Sequence, residues 1–205
     1  MKNATNQLFA LLLVCALAAA TLAACGGQTP PAQTSGEPSA QADAAGAYPM
    51  TLDNYGREVT LEKKPEKVLT LGPNCTELFV ALGLGDCVVG RSLINHSRGP
   101  LPEYEEAVSN IPQLNYGPAT REAIISSGAD FIYALDWEIG DSGCNIEEVA
   151  QYGMTVYVNS ATTLDEQYRE ILDIGRIFGV EESAEAFVAD QKARIQAVRD
   201  MVGKL

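Results

Sequence analysis

Apolar positions follow three successive patterns along this chain. Leu8 to Ala20 is one unbroken apolar run. Gly26 to Ala47 consists almost wholly of Gly, Ala, Pro, Ser, Thr and Gln with a few acids. It lacks the branched and aromatic residues that bury a core, which predicts a disordered segment. From Tyr48 onward, short runs of branched and aromatic residues return at regular intervals. Met50 to Asp53 and Glu58 to Leu61 alternate apolar with polar residues around Asn54-Tyr55-Gly56-Arg57, which predicts a β-hairpin. Lys63-Lys64-Pro65 ends it.

A repeated grammar then sets in. Val68 to Leu71, Cys87 to Gly90, Asp130 to Leu135 and Met154 to Val158 are short, nearly continuous apolar runs. Between them, Thr76 to Leu82, Arg121 to Ser127 and Asn145 to Tyr152 carry helical spacing and stop at Gly83, Gly128 and Gly153. A glycine just past a helix supplies the left-handed residue that ends it. Apolar strands alternating with helices predict βα units and a mostly parallel sheet covered on both faces, an α/β fold. Ligands in such sheets bind outside the carboxyl ends of the strands. That rule selects the loops Gly72 to Cys75, Arg91 to His96 and Asp136 to Gly143. Two helices close the chain. Leu164 to Phe178 is strongly amphipathic and ends at Gly179. Glu181 to Val202 bears a narrow stripe of Phe187, Val188, Ile195, Val198 and Val202, which calls for a packing partner.

Composition then adds an address. Lys2, the apolar run and Leu22-Ala23-Ala24-Cys25 form a secretory signal with a small-residue cleavage site. The run is shorter than the roughly 20 apolar residues that span a bilayer. Its ending resembles the lipobox of bacterial lipoproteins, in which the cysteine is lipidated and becomes the mature N-terminus. That resemblance implies residues 1–24 as signal peptide, a lipid anchor at Cys25 on the extracytoplasmic face of the cell membrane, and residues 25–47 as a tether. Such a coil spans roughly 25 Å end to end. The remaining domain of about 150 residues is a normal size for one α/β lobe.

A formal charge of −13 argues against nucleic acid and against electrostatic binding to anionic lipid. One histidine, His96, and the absence of any C-x-x-C pair leave no structural zinc site. With Cys25 lipidated and Cys15 removed, Cys75, Cys87 and Cys144 allow one internal disulfide at most. Cys75 and Cys144, both near strand ends, are the candidate pair. No nucleophile elbow, S-x-x-K, H-E-x-x-H or P-loop occurs. Gly83-Leu84-Gly85 precedes a strand and reads as a helix stop, not as part of a dinucleotide fingerprint.

The segments Asn54-Tyr55-Gly56-Arg57-Glu58-Val59-Thr60-Leu61, Lys64-Pro65-Glu66-Lys67-Val68-Leu69, Pro73-Asn74-Cys75-Thr76-Glu77-Leu78 and Ala81-Leu82-Gly83-Leu84-Gly85-Asp86 occur in that order. Together with Arg121-Glu122-Ala123-Ile124 and Ala129-Asp130-Phe131-Ile132, they resemble ABC-importer substrate-binding lipoproteins of the iron-siderophore, haem and vitamin B12 class. The resemblance runs from Met50 to Leu205. It implies two α/β lobes joined by a rigid helix, with ligand held between them and no catalysis. Residues 48–180 would be the first lobe and 181–205 the start of the inter-lobe helix, with the second lobe missing. Such a chain should bind ligand weakly or not at all by itself. The partners implied are an ABC permease with its ATPase, the membrane through the lipid, and a metal-chelate ligand, an iron-siderophore complex before cobalamin or haem. No cofactor is implied. Glu122 matches the position of a surface glutamate that docks on permease arginines; Glu77, expected near the third position of its own helix, ranks below it. The strand-end rule and the resemblance together nominate Asn74, Cys75, Tyr116, Asp136, Trp137 and Glu138 as ligand contacts. Trp137, the only tryptophan, sits beside carboxylates and suits a large planar or amphipathic ligand. Arg91, Arg98 and Arg121 are the arginines near the expected cleft. Two other readings are an extracellular α/β enzyme using Cys75 with His96, and a structural surface lipoprotein that binds nothing.

Overall fold

A computed structural model describes residues 48–92, 99–141 and 143–203. Cys25, the tether, His96 and Arg98 lie outside those residues. The hairpin forms as the alternation predicts, from β1 (Met50–Asn54) and β2 (Arg57–Leu61), paired antiparallel. Tyr55 and Gly56 form its tip, both with positive φ. There follow β3 (Val68–Leu71), α1 (Pro73–Ala81), β4 (Val88–Ser92), α2 (Glu105–Asn110), α3 (Arg121–Ser126), β5 (Phe131–Leu135), α4 (Ile146–Gln151), β6 (Thr155–Asn159), α5 (Leu164–Phe178) and α6 (Glu181–Val202).

Strands β3 to β6 form a parallel sheet in the order β4-β3-β5-β6. Its register lines up Val68 with Phe131 and Leu69 with Ile132. Because side chains alternate along a strand, the register sorts the sheet into two cores. Val68, Phe131, Tyr133 and Tyr157 face α1, α5, α6 and the hairpin. Leu69, Leu71, Ile132, Ala134, Val156 and Val158 face α3 and α4. Phe178 of α5 meets Phe79 and Phe131 edge-on, with ring centroids 5.2 and 5.4 Å apart.

Unpaired strand edges invite association, and both edges here are covered. Beside β4, the segment 111–114 adds ladder bonds: Arg91 N–H donates to Pro112 O at 3.0 Å and Leu114 N–H to Arg91 O at 2.8 Å. Beside β6, the Asn54 side chain acts as a strand would. Its Nδ2 donates to Val158 O at 2.9 Å and its Oδ1 accepts from Val158 N–H at 2.7 Å. The Arg57 guanidinium donates to Val156 O.

Several boundaries differ from expectation. Helix α1 begins three residues earlier than its apolar spacing suggests, because Pro73 occupies its first turn, where a missing N–H costs nothing. Glu77 therefore lies beyond the first turn, where it accepts from Leu101 N–H at 2.7 Å. Gly85–Cys87 is a 3-10 turn, and β4 starts after it. Helix α2 escaped the sequence pattern because Val108 is its one buried residue.

Helix α5 is the best specified. Thr163 accepts from Glu166 N–H at 3.3 Å while Glu166 Oε2 accepts from Thr163 N–H at 3.0 Å, a capping box. It crosses α6 so closely that a Cβ on Gly175 would come within 2.5 Å of Ala184 Cβ. The stripe on α6 packs against the lobe as far as Ile195 and not beyond. Ala184 and Val188 are buried, whereas Val198, Met201 and Val202 are more than half exposed.

Thr163→Ala should lower stability by about 1 kcal/mol in urea unfolding. The Glu166 carboxyl is held down to about 2, chiefly by the Thr162 N–H, with the Thr162 and Thr163 side chains adding to it. Its folded pKa lies below the ordinary value of 4.5, so the stabilisation it brings is present above pH 4.5 and is lost as pH falls toward 2. Glu166→Ala should therefore flatten the fall of stability across that window, read by urea midpoints at successive pH values.

Candidate functional site

The carboxyl ends of four parallel strands share one edge of the lobe. From β3 the chain moves outward to β4, then returns to the other side of β3 for β5. The order reverses between β3 and β5, which is where doubly wound sheets open a crevice. Three turns converge there: Gly72-Pro73-Asn74 after β3, Asp136-Trp137-Glu138 after β5, and Asn159-Ser160 after β6.

Gly72 makes the first turn possible. Its φ is 133°, and a Cβ there would lie 2.5 Å from Leu135 Cδ1. Only glycine lets the end of β5 pass this close. Asn74 follows, exposed in the first turn of α1, with its Nδ2 donating to Asn159 Oδ1 at 3.2 Å. After β5, Asp136 to Glu138 form a 3-10 turn in which Asp136 Oδ1 accepts from Trp137 N–H at 2.8 Å. Trp137 is 61% exposed.

Glu138 points the other way. It is buried, and its Oε2 accepts from Ala119 N–H at 3.2 Å. Burial pushes its carboxyl above the usual range, opposed by that hydrogen bond. A Cβ on Gly143 would meet Glu138 O at 3.2 Å and Ala119 O at 3.4 Å, so the turn after β5 and the loop 115–120 are packed backbone to backbone. Asn115 Oδ1 closes that loop by accepting from Thr120 N–H at 3.2 Å. Tyr116, 65% exposed, is carried by this loop and is thereby tied to the turn that bears Trp137.

The expected contacts thus divide. Asn74, Tyr116, Asp136 and Trp137 are exposed on one edge. Cys75 is corrected: its side chain is fully buried in the core facing α1 and α5, because the helix turns it away from its exposed neighbour. Glu138 is corrected too, since it clamps a loop instead of facing solvent. Cys75, Cys87 and Cys144 are all free. Cys75 and Cys144 lie in opposite cores, with the sheet between them. Burial pushes the Cys75 thiol far up and Cys144 to about 12, which leaves neither a ready nucleophile. Glu122 is exposed at the start of α3, whose N-cap Thr120 accepts from Ala123 N–H at 3.3 Å. Arg121 is paired with Glu148, and Arg91 Nε donates to Ile111 O at 3.2 Å. Among the described residues, no acid, cysteine and histidine cluster fits a metal ion and no helix is long and apolar enough to cross a membrane.

Other features escaped the sequence reading. A groove of about 280 Å³ runs between α1, α5 and α6, with Asn74, Tyr133 and Asn159 among its lining residues. Behind it lies a buried polar network. Asn159 Nδ2 donates to Tyr133 Oη at 2.8 Å and to Glu170 Oε2 at 2.7 Å, and Ser160 N–H donates to Glu170 Oε1 at 3.0 Å. Tyr157 Oη donates to Asp173 Oδ2 at 2.8 Å. The signal available was Glu170 falling in the apolar stripe of α5, four residues before Ile174, and Asn159 closing a run of branched residues at a strand's carboxyl end.

No family profile matches the chain. An uncharacterized ABC transporter substrate-binding lipoprotein, YvrC of Bacillus subtilis, is 31% identical over 202 residues, 98% of this chain and 59% of its own length. The chain is similar to substrate-binding lipoproteins of ABC importers in the siderophore, haem and vitamin B12 class. A cobalamin-binding protein of Halobacterium salinarum is 29% identical over 95% of this chain and 50% of its own length. A solved structure from Saccharomonospora viridis, described as an ABC-type Fe3+-hydroxamate transport system, superposes with TM-score 0.62 at 27% identity, covering 77% of this chain and 58% of that one. The chain thus spans between half and three fifths of these binding proteins, and what it spans is a single α/β lobe.

In the folded lobe, Cys75 and Cys144 should resist iodoacetamide at pH 8 and react once urea unfolds it, as read by peptide mass spectrometry. Rapid native labelling of Cys75 would revive the enzymatic reading.

Proposed function

We propose that this chain is the ligand-capturing first lobe of an ABC-importer receptor, held at the membrane by lipid on Cys25. Its ligand is a metal chelate, an iron-siderophore complex before others. The observation that carries this reading is Trp137. The only tryptophan of the chain stands 61% exposed on a turn braced by Glu138 and Ala119, at the point where the sheet order reverses. An exposed aromatic of that size on a braced turn is a contact surface in waiting, with Tyr116, Asp136 and Asn74 around it. The lobe captures and releases and performs no chemistry, in keeping with its family. The permease and its ATPase are the partners, and Glu122, exposed at a helix start, is the docking contact.

A second reading is favoured by one comparison: the Halobacterium salinarum relative, matched over 95% of this chain, is named for cobalamin. The two separate in one titration. Ferrichrome, cyanocobalamin and haemin are each added to the protein up to the millimolar range, so that weak binding is seen, and Trp137 fluorescence is followed after inner-filter correction. Ferrichrome should quench saturably, and Trp137→Ala should weaken its binding about tenfold by calorimetry, the scale of one aromatic contact. Saturable quenching by cyanocobalamin alone supports the second reading. No quenching by any of the three up to millimolar overturns the claim that this lobe by itself captures the ligand.

A further inference from the structure

We propose that Glu170, buried in α5, is a positioning residue that sets through Asn159 which end of the Asn74 amide faces the ligand edge. This rests on the reading that Asn74 is a ligand contact.

The hydrogen-bond inventory carries the inference. Asn159 has two N–H donors and one acceptor oxygen directed at its neighbours. Both donors are used, at 2.8 Å to Tyr133 Oη and 2.7 Å to Glu170 Oε2. Its oxygen faces Asn74 Nδ2 at 3.2 Å. A flipped Asn159 amide would set its oxygen against the Glu170 carboxylate, which has no proton to give when ionised. An ionised Glu170 therefore disfavours the flip. It cannot itself turn aside, because its other oxygen holds Ser160 N–H at 3.0 Å. Helix α5 is fixed in turn by its capping box and by the close Gly175–Ala184 crossing.

The consequence appears at the edge. Asn74 must give its N–H to Asn159, so its Oδ1 is the end left over. That oxygen lies 3.4 Å from where a Gly72 Cβ would sit and takes no hydrogen bond among the described residues. The relay offers the ligand an acceptor. The complementary ligand group is a donor, an amide N–H or a hydroxyl at the ligand's periphery. An apolar residue at 170 would satisfy the core at less cost in desolvation, and burying a carboxylate here instead makes sense if orientation is what it secures.

The neutral isostere gives the sharpest test. In Glu170→Gln, the oxygen is claimed by the Ser160 N–H, so the new NH₂ faces Asn159. Asn159 then flips to accept it, and Asn74 flips in response, releasing its own N–H protons to solvent. Asparagine-selective ¹⁵N labelling, assigned with Asn74→Ala, reads this directly. In the wild type the Asn74 side-chain amide protons should exchange more slowly than those of free asparagine. In Glu170→Gln they should exchange at the free rate, with the backbone amide spectrum elsewhere retained. Free-rate exchange in the wild type, or an unchanged Asn74 signal in folded Glu170→Gln, overturns the proposal without any ligand. Ferrichrome affinity should drop about tenfold in Asn74→Ala and in Glu170→Gln, the scale of one hydrogen bond, and no further in the double variant. If the Asn74 signal responds as described but Asn74→Ala leaves ferrichrome affinity unchanged, the relay stands and the assignment of Asn74 as a contact fails.

Discussion

A parallel sheet buried on both faces leaves its backbone open only at its edges and strand ends. Everything else in this lobe follows from that constraint. The edges are closed by borrowed partners: the segment 111–114 beside β4, and the Asn54 amide with Arg57 beside β6. The hairpin is thus more than a preface to the lobe, since it completes the hydrogen bonding of β6 and adds Met50, Leu52, Val59 and Leu61 to one core. With faces and edges sealed, the carboxyl ends are the surface where the chain can display polar and aromatic groups without unpairing the ladder. The topology places the turns after β3 and β5 side by side there, and Gly72 lets them touch.

That surface is braced from below. The Glu138–Ala119 bond and the Gly143 contact hold the Trp137 turn and the Tyr116 loop together. The relay from Glu170 through Asn159 holds Asn74. Buried polar networks cost desolvation and repay it only when every member is paired, and here the members are paired. A preorganised edge of this kind loses little freedom on binding, which suits the proposed capture of a ligand.

Much of this was legible in the residues. Alternation around Asn54 to Arg57 specified the hairpin, glycines after helices marked the strand starts, and the amphipathic spacing of Leu164 to Phe178 with its stop at Gly179 specified α5. The strand-end rule pointed to Asn74, Asp136 and Trp137, which the structure leaves exposed at the strand ends. It misjudged Cys75 and Glu138 because consecutive residues in a helical turn or a 3-10 turn point in different directions, which a loop-level reading does not resolve. Asn159 and Glu170 were missed for another reason. Their role arises from contact between a strand end and a helix eleven residues later, and neither residue type announces a buried partner. Glu170 in an apolar stripe was a visible anomaly whose meaning depended on what lay opposite.

The central claim is that the carboxyl ends of the parallel strands form the ligand face. The most direct measurement is a backbone amide titration of the ¹⁵N-labelled protein with gallium ferrichrome, a diamagnetic stand-in for the ferric complex. Shifts confined to residues 72–76, 115–119, 136–144 and 159–160 are the predicted result. Shifts centred on α3 and α4 or on the hairpin tip, or none at millimolar probe, would contradict the account.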